Sequence, residues 1–180
     1  MEKPESRRIQ MTKALIRSAL VELMGEKTFE RITIKELCER ADVNRTTFYL
    51  HYSDQRSVFN DVKDTVCRQT VAMISEADLS DPTVFVERFL NYIKDNDRQF
   101  RILFMHDEGD SFRFSLMDAV AGELMQFLPV TDDPQNDGFT LAYIMAGSLS
   151  IIIEWMKTGY ERSPRELAKF IYSINSSVKW

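Results

Sequence analysis

The chain has 180 residues with ordinary hydrophobic (44 %) and charged (28 %) fractions, enough for one or two soluble domains with a buried core. No apolar run follows the charges at its start, and Cys38 and Cys67 lack metal-ligand spacing and any reason to pair, so we expect a cytoplasmic protein without signal peptide, disulfide or metal site. The net charge of −5 excludes a uniformly basic surface, but residues 1–56 carry +2 and the remainder −7, so positive potential for phosphate is local.

The first predicted helix covers roughly residues 6–25, because apolar residues recur at helical spacing and Gly25 is a typical stop. Its apolar stripe consists of Ile9, Ile16, Ala19, Leu20 and Leu23. A connector follows at residues 27–32, and we expect its Phe29 to fill the core of a three-helix head. Such a head is needed because two short helices cannot bury a core by themselves.

The pattern of residues 33–52 predicts a helix-turn-helix. Thr33 and Glu36 form the capping-box pattern at the start of the first helix. Asp42 falls at the sharp turn, where Asp tolerates a left-handed conformation, and Asn44 is a favoured N-cap for the second helix. The apolar contacts within the pair are expected from Ile34, Leu37, Cys38, Ala41, Val43 and Phe48.

The second helix of this pair carries side chains suited to the major groove of DNA, where its N-terminal residues reach base edges. Arg45 can bind guanine bidentately, and Thr46 and Thr47 offer hydroxyl and methyl groups. Tyr49 and His51 follow one turn later, at a position suited to backbone oxygens. The predicted DNA-binding residues are Thr33, Lys35, Asn44, Arg45, Thr46, Thr47, Tyr49, His51 and Arg56. The alternative is an ordinary helical hairpin with a polar face.

The segment from about residue 7 to 66 resembles the N-terminal DNA-binding domain of the TetR family of transcriptional regulators. Three positions depart from the family pattern. Cys38 replaces the small residue that faces the second helix, Asp42 replaces the usual turn glycine, and Gln55 stands where a phosphate-binding lysine is common. The residues that carry the resemblance are Phe29, Thr33, Ile34, Ala41, Val43, Phe48, Tyr49, His51 and Tyr52.

The resemblance divides the chain into a DNA-binding domain at residues 6–66 and a C-terminal effector-binding and dimerisation domain at residues 67–180. A fourth predicted helix, from about Asp54 towards Ser75, links the two, so the boundary lies along a helix. The Asp81-Pro82 pair is a strong helix start. Three more helices are predicted at residues 82–95, 97–106 and 111–128. A polar loop is predicted to follow at residues 129–138.

Residues 139–156 form an almost unbroken apolar stretch. A transmembrane span needs about 20 such residues with suitable flanks, and Glu154 lies near the end of this one, so we expect a helix buried all round. Ser163 and Glu166 then combine a capping box with a proline at the first position of a final helix. Small residues that allow another helix to approach are Ala142, Ala146, Gly147 and Ser150.

The family resemblance implies a homodimer formed through the last two helices, although these could instead only close the monomer core. It also implies a small apolar effector bound inside the C-terminal bundle. A pocket for this ligand is expected among Phe100, Phe104, Met117, Tyr143 and Trp155, for which plain core is the alternative. Nearby arginines that either orient an acidic ligand or lie solvated are Arg98, Arg101 and Arg113.

The sequence has no glycine-rich phosphate loop, nucleophile elbow or Cys/His cluster at metal spacing, so we expect neither an enzyme nor a cofactor. It predicts an all-α, homodimeric regulator that binds a palindromic operator in double-stranded DNA and no membrane. Repression released by a small apolar effector is the favoured mode. The alternative is a regulator or coactivator of the same fold that is controlled by a protein partner and needs no small molecule.

Overall fold

A computed structural model of the protein describes residues 7–76, 81–105, 109–124 and 134–177. Over these residues it is all-α, as predicted, with one short 3-10 turn at Phe29–Arg31. Its helices are α1 (Arg7–Met24), α2 (Ile34–Ala41), α3 (Arg45–Tyr49), α4 (Gln55–Ser75), α5 (Pro82–Asp95), α6 (Asp97–Met105), α7 (Gly109–Leu124), α8 (Pro134–Lys157) and α9 (Pro164–Ser177). The chain forms two compact units, Met1–Thr65 and Val66–Trp180, and α4 runs across their boundary.

The first unit is built around the apolar faces of α1 and α2, which pack against each other. Phe29 is only 9 % exposed, and its ring lies 5.6 Å from that of Phe59 on α4, which confirms its predicted place in the core. The other buried members of this core are Ile16, Ala19, Leu20, Leu23, Ile32, Leu37, Cys38, Ala41, Phe48, Tyr52, Val58 and Val62. Ile9, the remaining member of the predicted α1 stripe, is only half-buried.

In the second unit α5 packs on α9, while α6 packs on α7 and α8. A chain of aromatic rings lies through this core, with neighbouring centroids 5.4–6.3 Å apart, formed by Phe85, Phe89, Phe100, Phe104 and Phe112. The predicted starts of α5 and α9 are confirmed. The N–H of Thr83 donates to Asp81 Oδ1 at 3.0 Å, and Ser163 and Glu166 make a reciprocal capping box at α9.

Two predicted helix starts are wrong in their bounds. α7 begins at Gly109 and α8 at Pro134, so residues 134–138, predicted as loop, are helical. The polar composition indicated a loop, but a helix tolerates proline at its first position, where the missing N–H would have no helical partner. The predicted segments at residues 106–108 and 125–133 lie outside the described residues.

α8 is not buried all round within the single chain, contrary to the sequence expectation. Its inward face includes Leu149 and Met156, whereas Phe139 is 77 % and Tyr143 54 % exposed. Within the described part of the chain, Gly138–Lys157 is the one helical stretch long and apolar enough to cross a membrane by length and composition, and 28 % of its apolar window is buried. The apolar pattern therefore leaves a large uncovered face.

Candidate DNA interface

The start of α2 is fixed by the predicted capping box. The N–H of Glu36 donates to Thr33 Oγ1 at 3.3 Å, and the N–H of Thr33 donates to Glu36 Oε2 at 3.0 Å. Lys27 also binds the Glu36 carboxylate. These hydrogen bonds, that of Lys27 foremost, lower the pKa of Glu36 to about 2, so the carboxylate is charged at neutral pH and holds the connector against the helix.

The turn between α2 and α3 takes the left-handed conformation that the sequence predicted. Asp42 has φ 53° and ψ 46°, and its N–H donates to the carbonyl oxygens of Cys38 and Glu39 at the end of α2. Asp can take the place of glycine here because its short side chain tolerates this region better than most. Cys38 is 5 % exposed, and burial raises the pKa of its thiol.

α3 begins at a side-chain cap and is held by one fully buried ring. The N–H of Thr47 donates to Asn44 Oδ1 at 2.7 Å, which satisfies one of the donors that a helix start leaves open. Phe48 is 0 % exposed. With Phe48 inward, Arg45 and Thr46 are exposed and Tyr49 is 57 % exposed, so these three residues lie on the solvent side. Thr47, also predicted to meet DNA, is half-buried.

A hydrogen-bonded cluster ties Tyr52, which follows α3, to α1 and α4. Tyr52 Oη donates to Asp61 Oδ2 at 2.6 Å, and Arg17 Nη1 donates to the same oxygen at 2.9 Å. Burial raises the pKa of Asp61, but these two hydrogen bonds, together with the positive charges of Arg17 and Lys13, lower the pKa overall. Burial and the Asp61 carboxylate both raise the pKa of Tyr52. This cluster links α1 and α4 to the segment that follows α3.

The predicted DNA-binding residues outside α3 differ in their exposure and in their partners. Lys35 is exposed, with its Nζ 3.7 Å from Glu39 Oε1, and His51 is half-buried. Arg56 lies with its guanidinium carbon 4.7 Å from the centroid of the Phe29 ring. Gln55 Nε2 donates to the Ile32 carbonyl at 2.7 Å. Gln55 is thus a brace between the connector and α4, a role that the sequence did not reveal.

A shallow concavity between α2 and the start of α3 adjoins the outward residues of α3. It carries both charge signs and is lined by Lys35, Cys38, Glu39, Asp42, Val43, Asn44 and Arg45. Within the described residues, no group of His, Cys, Asp and Glu could hold a metal ion. This face therefore presents one guanidinium, one ammonium group and two carboxylates beside an amide and apolar groups.

One exposed residue of this face escaped the sequence analysis. Leu50 caps the C-terminal end of α3 and is 75 % exposed. Its side chain has none of the polar groups that mark a DNA-reading residue in a sequence. The available signal was its spacing, since it lies four residues after Thr46 and so on the same side of a helix.

The five residues expected to line a ligand pocket have different surroundings. Phe100 and Phe104 are fully buried with ring centroids 5.5 Å apart. Trp155 is 5 % exposed, and its Nε1 donates at 2.8 Å to a carbonyl of the α8–α9 turn. Met117 is half-buried on α7, and Tyr143 is 54 % exposed on α8. The pocket stays a prediction.

Two of the arginines considered for an acidic ligand have protein partners. Arg101 binds the Asp97 carboxylate through Nε at 2.7 and 3.0 Å and donates through Nη2 to the Met156 carbonyl at 2.7 Å. Arg113 Nη2 donates to the Phe104 carbonyl at 2.6 Å. Arg101 therefore helps to close the C-terminal end of α8, where carbonyl groups lack helical partners.

Comparison with known proteins agrees with this geometry. A sequence profile described as "Bacterial regulatory proteins, tetR family" matches residues 16–62, and a TetR-type profile described as "Transcriptional regulator C-terminal region" matches residues 80–177. The chain is 22 % identical to the uncharacterized HTH-type transcriptional regulator YxbF of Bacillus subtilis, over 95 % of this chain and 46 % of that protein. It spans about half the length of the curated relatives it matches.

Two solved structures share the fold. One is the dihydroxyacetone kinase operon activator DhaS, with a TM-score of 0.69 and 18 % identity over 92 % of this chain and 94 % of that one. The other is a TetR transcriptional regulator from Streptococcus agalactiae, with a TM-score of 0.68 and 20 % identity over 94 % and 96 %. Because the two profiles match in chain order and one of them covers more than half of the sequence, this chain belongs to the TetR family of transcriptional regulators.

Proposed function

We propose that the protein is a cytoplasmic, sequence-specific DNA-binding regulator that acts as a homodimer on a palindromic operator. The observation that carries this proposal is the exposure of Arg45, Thr46 and Tyr49 on a short helix whose opposite side is fixed by Phe48. A seated helix can present base-reading groups to the major groove without rearrangement. Lys35 and Arg56 supply phosphate contacts at the flanks, and such contacts position the protein on the duplex.

The proposed dimer forms through α8 and α9. On α8, Phe139, Tyr143, Gly147 and Ser150 recur at helical spacing and are exposed within the single chain. α9 adds Phe170 at 38 %, Tyr172 at 46 % and Ile174 at 36 % exposure. Apolar surface of this extent on a soluble chain marks an interaction site. A two-fold dimer carries two copies of the DNA-binding head, which matches an operator with two half-sites.

A second copy of the chain fits this face better than a lipid bilayer does. Small residues on α8 allow close approach of another helix. Asn175 Nδ2 donates to Ser148 Oγ at 3.1 Å between α9 and α8, and the pair Glu154–Lys157 (3.6 Å) is exposed near the end of α8. Charged and amide groups are expensive in hydrocarbon, whereas they are ordinary at the rim of a protein interface.

In the proposed mode the bound dimer represses transcription by occluding the promoter, and a small apolar effector in the C-terminal unit releases it. Such a ligand acts only if it binds the released state more tightly than the DNA-bound state. The aromatic and methionine side chains of α6, α7 and α8 suit an apolar ligand. A reproducible rise in melting temperature with a hydrophobic compound, together with loss of DNA binding, would support this step.

The decisive experiment is selection of bound sequences from a random double-stranded DNA pool by the full chain at a stated salt concentration. We expect a palindrome with two half-sites about one helical turn apart or a multiple of it. Enrichment of a single half-site would contradict the dimer, and failure to enrich any sequence would contradict DNA binding itself. The variant Phe48→Ala, which unseats α3, serves as the control that should enrich nothing.

The second candidate is a regulator with the same DNA-binding head that activates transcription or answers to a protein partner. The observation in its favour is that the structurally similar DhaS is named an operon activator. Tight binding to one protein, with no response to any small molecule, would favour this candidate. A reporter gene placed under the selected operator separates the two signs of regulation, since expression falls with a repressor and rises with an activator.

A further inference from the structure

Among the described residues of the DNA-binding head, the most exposed large apolar side chain lies at the C-terminal end of α3. Leu50 is 75 % exposed, compared with 43 % for Leu15 on α1. It remains in helical register, because its N–H donates to the Thr46 carbonyl at 3.1 Å and its φ and ψ are −69° and −21°. Single exposed leucines are common on protein surfaces, but this one lies beside the residues proposed to contact DNA, where its side chain can meet a base.

The angular positions of the residues around the α3 axis show which side chains point furthest from the core. At 3.6 residues per turn, both Thr46 and Leu50 lie about 160° around the helix from Phe48, whereas Tyr49 lies about 100° and Arg45 about 60° away. Phe48 is fully buried and Tyr52, one turn later, is 5 % exposed. The row formed by Thr46 and Leu50 is therefore the crest of the helix, and it would enter a groove deepest.

We propose that Leu50, together with the Thr46 methyl, reads the C5-methyl group of thymine in the major groove. The inference rests on the proposed DNA-binding function and adds a specificity-determining contact to it. Leucine has no hydrogen-bonding group, so it gains nothing from phosphates or from the polar edges of bases. The thymine methyl is the apolar group that unmodified DNA exposes in the major groove. Because Leu50 adjoins the exposed Arg45 and Tyr49, DNA that contacts these two residues also meets Leu50.

The test replaces each thymine of the selected operator by deoxyuridine, one position at a time, which removes only the methyl group. For the wild-type chain we expect about a three- to fivefold loss of affinity at one thymine in each half-site, the value expected for one buried methyl group. Leu50→Ala should bind the unmodified operator more weakly and should show no further loss at that thymine. Leu50→Met, which keeps the apolar reach, should retain the sensitivity.

Leu15→Ala is the matched control, because it makes the same chemical change at an exposed leucine of α1. It should leave the deoxyuridine profile of the wild type unchanged. The proposal is overturned if Leu50→Ala keeps the wild-type profile, if its affinity is unaltered, or if its loss is equal on operator and random DNA. It is also overturned if Leu50→Ala changes the oligomeric state, which would make Leu50 a protein-protein contact.

These outcomes differ from failure of the proposed function. If the pool selection enriches no sequence, DNA binding itself is wrong and the thymine contact falls with it. If a palindrome is enriched and Arg45→Ala weakens binding to it, the function stands whatever Leu50 does. Circular dichroism on each variant shows that the helices are retained, as expected for substitutions of exposed side chains.

Discussion

At the scale of single residues, the packing of α3 against the core decides which of its side chains face solvent. Phe48 is fully buried and Asn44 caps the first turn, so the outward direction of the next residues follows from helix geometry. The sequence predicted this arrangement because caps and apolar spacing are local signals. It did not reveal the bracing hydrogen bond of Gln55 or the exposure of Leu50, since the first depends on a distant carbonyl and the second is an apolar residue outside any motif.

Arg45 provides the first test at this scale. Arg45→Ala should cost about 1–3 kcal/mol of binding free energy at one base pair in each half-site and should relax the preference there. The physical reason is loss of a bidentate contact to guanine, which discriminates between bases. Competition binding with operators changed at single positions measures this directly. Unaltered affinity and unaltered preference in the variant would show that α3 is not the reading helix.

The lowered pKa of the Glu36 carboxylate predicts that the protein loses folding stability in acid. Its pKa is lowered to about 2 from the usual value of 4.5, chiefly by the hydrogen bond from Lys27. The stabilising effect of the carboxylate is therefore full above pH 4.5 and is lost as the pH falls towards 2. Glu36→Gln should lose less stability than the wild type across this interval. Denaturant midpoints at several pH values measure the difference. Lys27→Met should shrink the loss as well, and equal losses in all three proteins would contradict the assignment.

At the scale of helices, α3 depends on its neighbours because it is too short to be stable alone. Five residues cannot form an independent helix in water, and α3 spans Arg45–Tyr49. Its neighbours therefore supply the rigidity: the capping box of α2, the left-handed turn at Asp42, and the cluster of Tyr52 with Asp61 and Arg17. The sequence revealed the first two, whereas the cluster joins residues 44 positions apart and has no local signature.

Two tyrosines of the same segment separate bracing from DNA contact. Tyr52→Phe removes the hydrogen bond to Asp61, so we expect a loss of about 1–2 kcal/mol in the free energy of unfolding. Tyr49→Phe changes an exposed ring and should leave stability unaltered, while binding weakens equally on all sequences if its hydroxyl holds a phosphate. Urea unfolding and binding assays on both variants measure the contrast. Equal stability losses in both would contradict the division of roles.

At the scale of the whole molecule, the sequence predicted which residues of α8 are apolar but not what covers them. Hydropathy records residue types, so a stretch such as residues 139–156 looks the same whether its own chain, a second subunit or lipid surrounds it. The structure shows that one chain covers only part of it, with Phe139 and Tyr143 left exposed. The covering partner is a property of the assembly, and a single sequence carries it only through the small residues that allow close helix packing.

Gly147 tests the proposed dimer without disturbing the single chain. It is exposed on α8, and a Cβ built there meets nothing within 4 Å, so Gly147→Arg should preserve the fold of one subunit. Because arginine has a better helix propensity than glycine, circular dichroism should show α8 retained. In a two-fold contact between α8 helices, however, the long side chain and its charge would meet the partner. We therefore expect dissociation by analytical ultracentrifugation and loss of binding to a palindromic operator.

The matched control for this substitution is Gly122→Arg. Gly122 lies on α7, is likewise exposed and also has nothing within 4 Å of an added Cβ, but it stands outside the proposed contact. The control should remain dimeric at the concentration where Gly147→Arg is monomeric. A dimer of wild-type stability in Gly147→Arg would place the subunit contact elsewhere. The uncovered face of α8 would then need a different partner, because an apolar surface of that kind is not stable in water by itself.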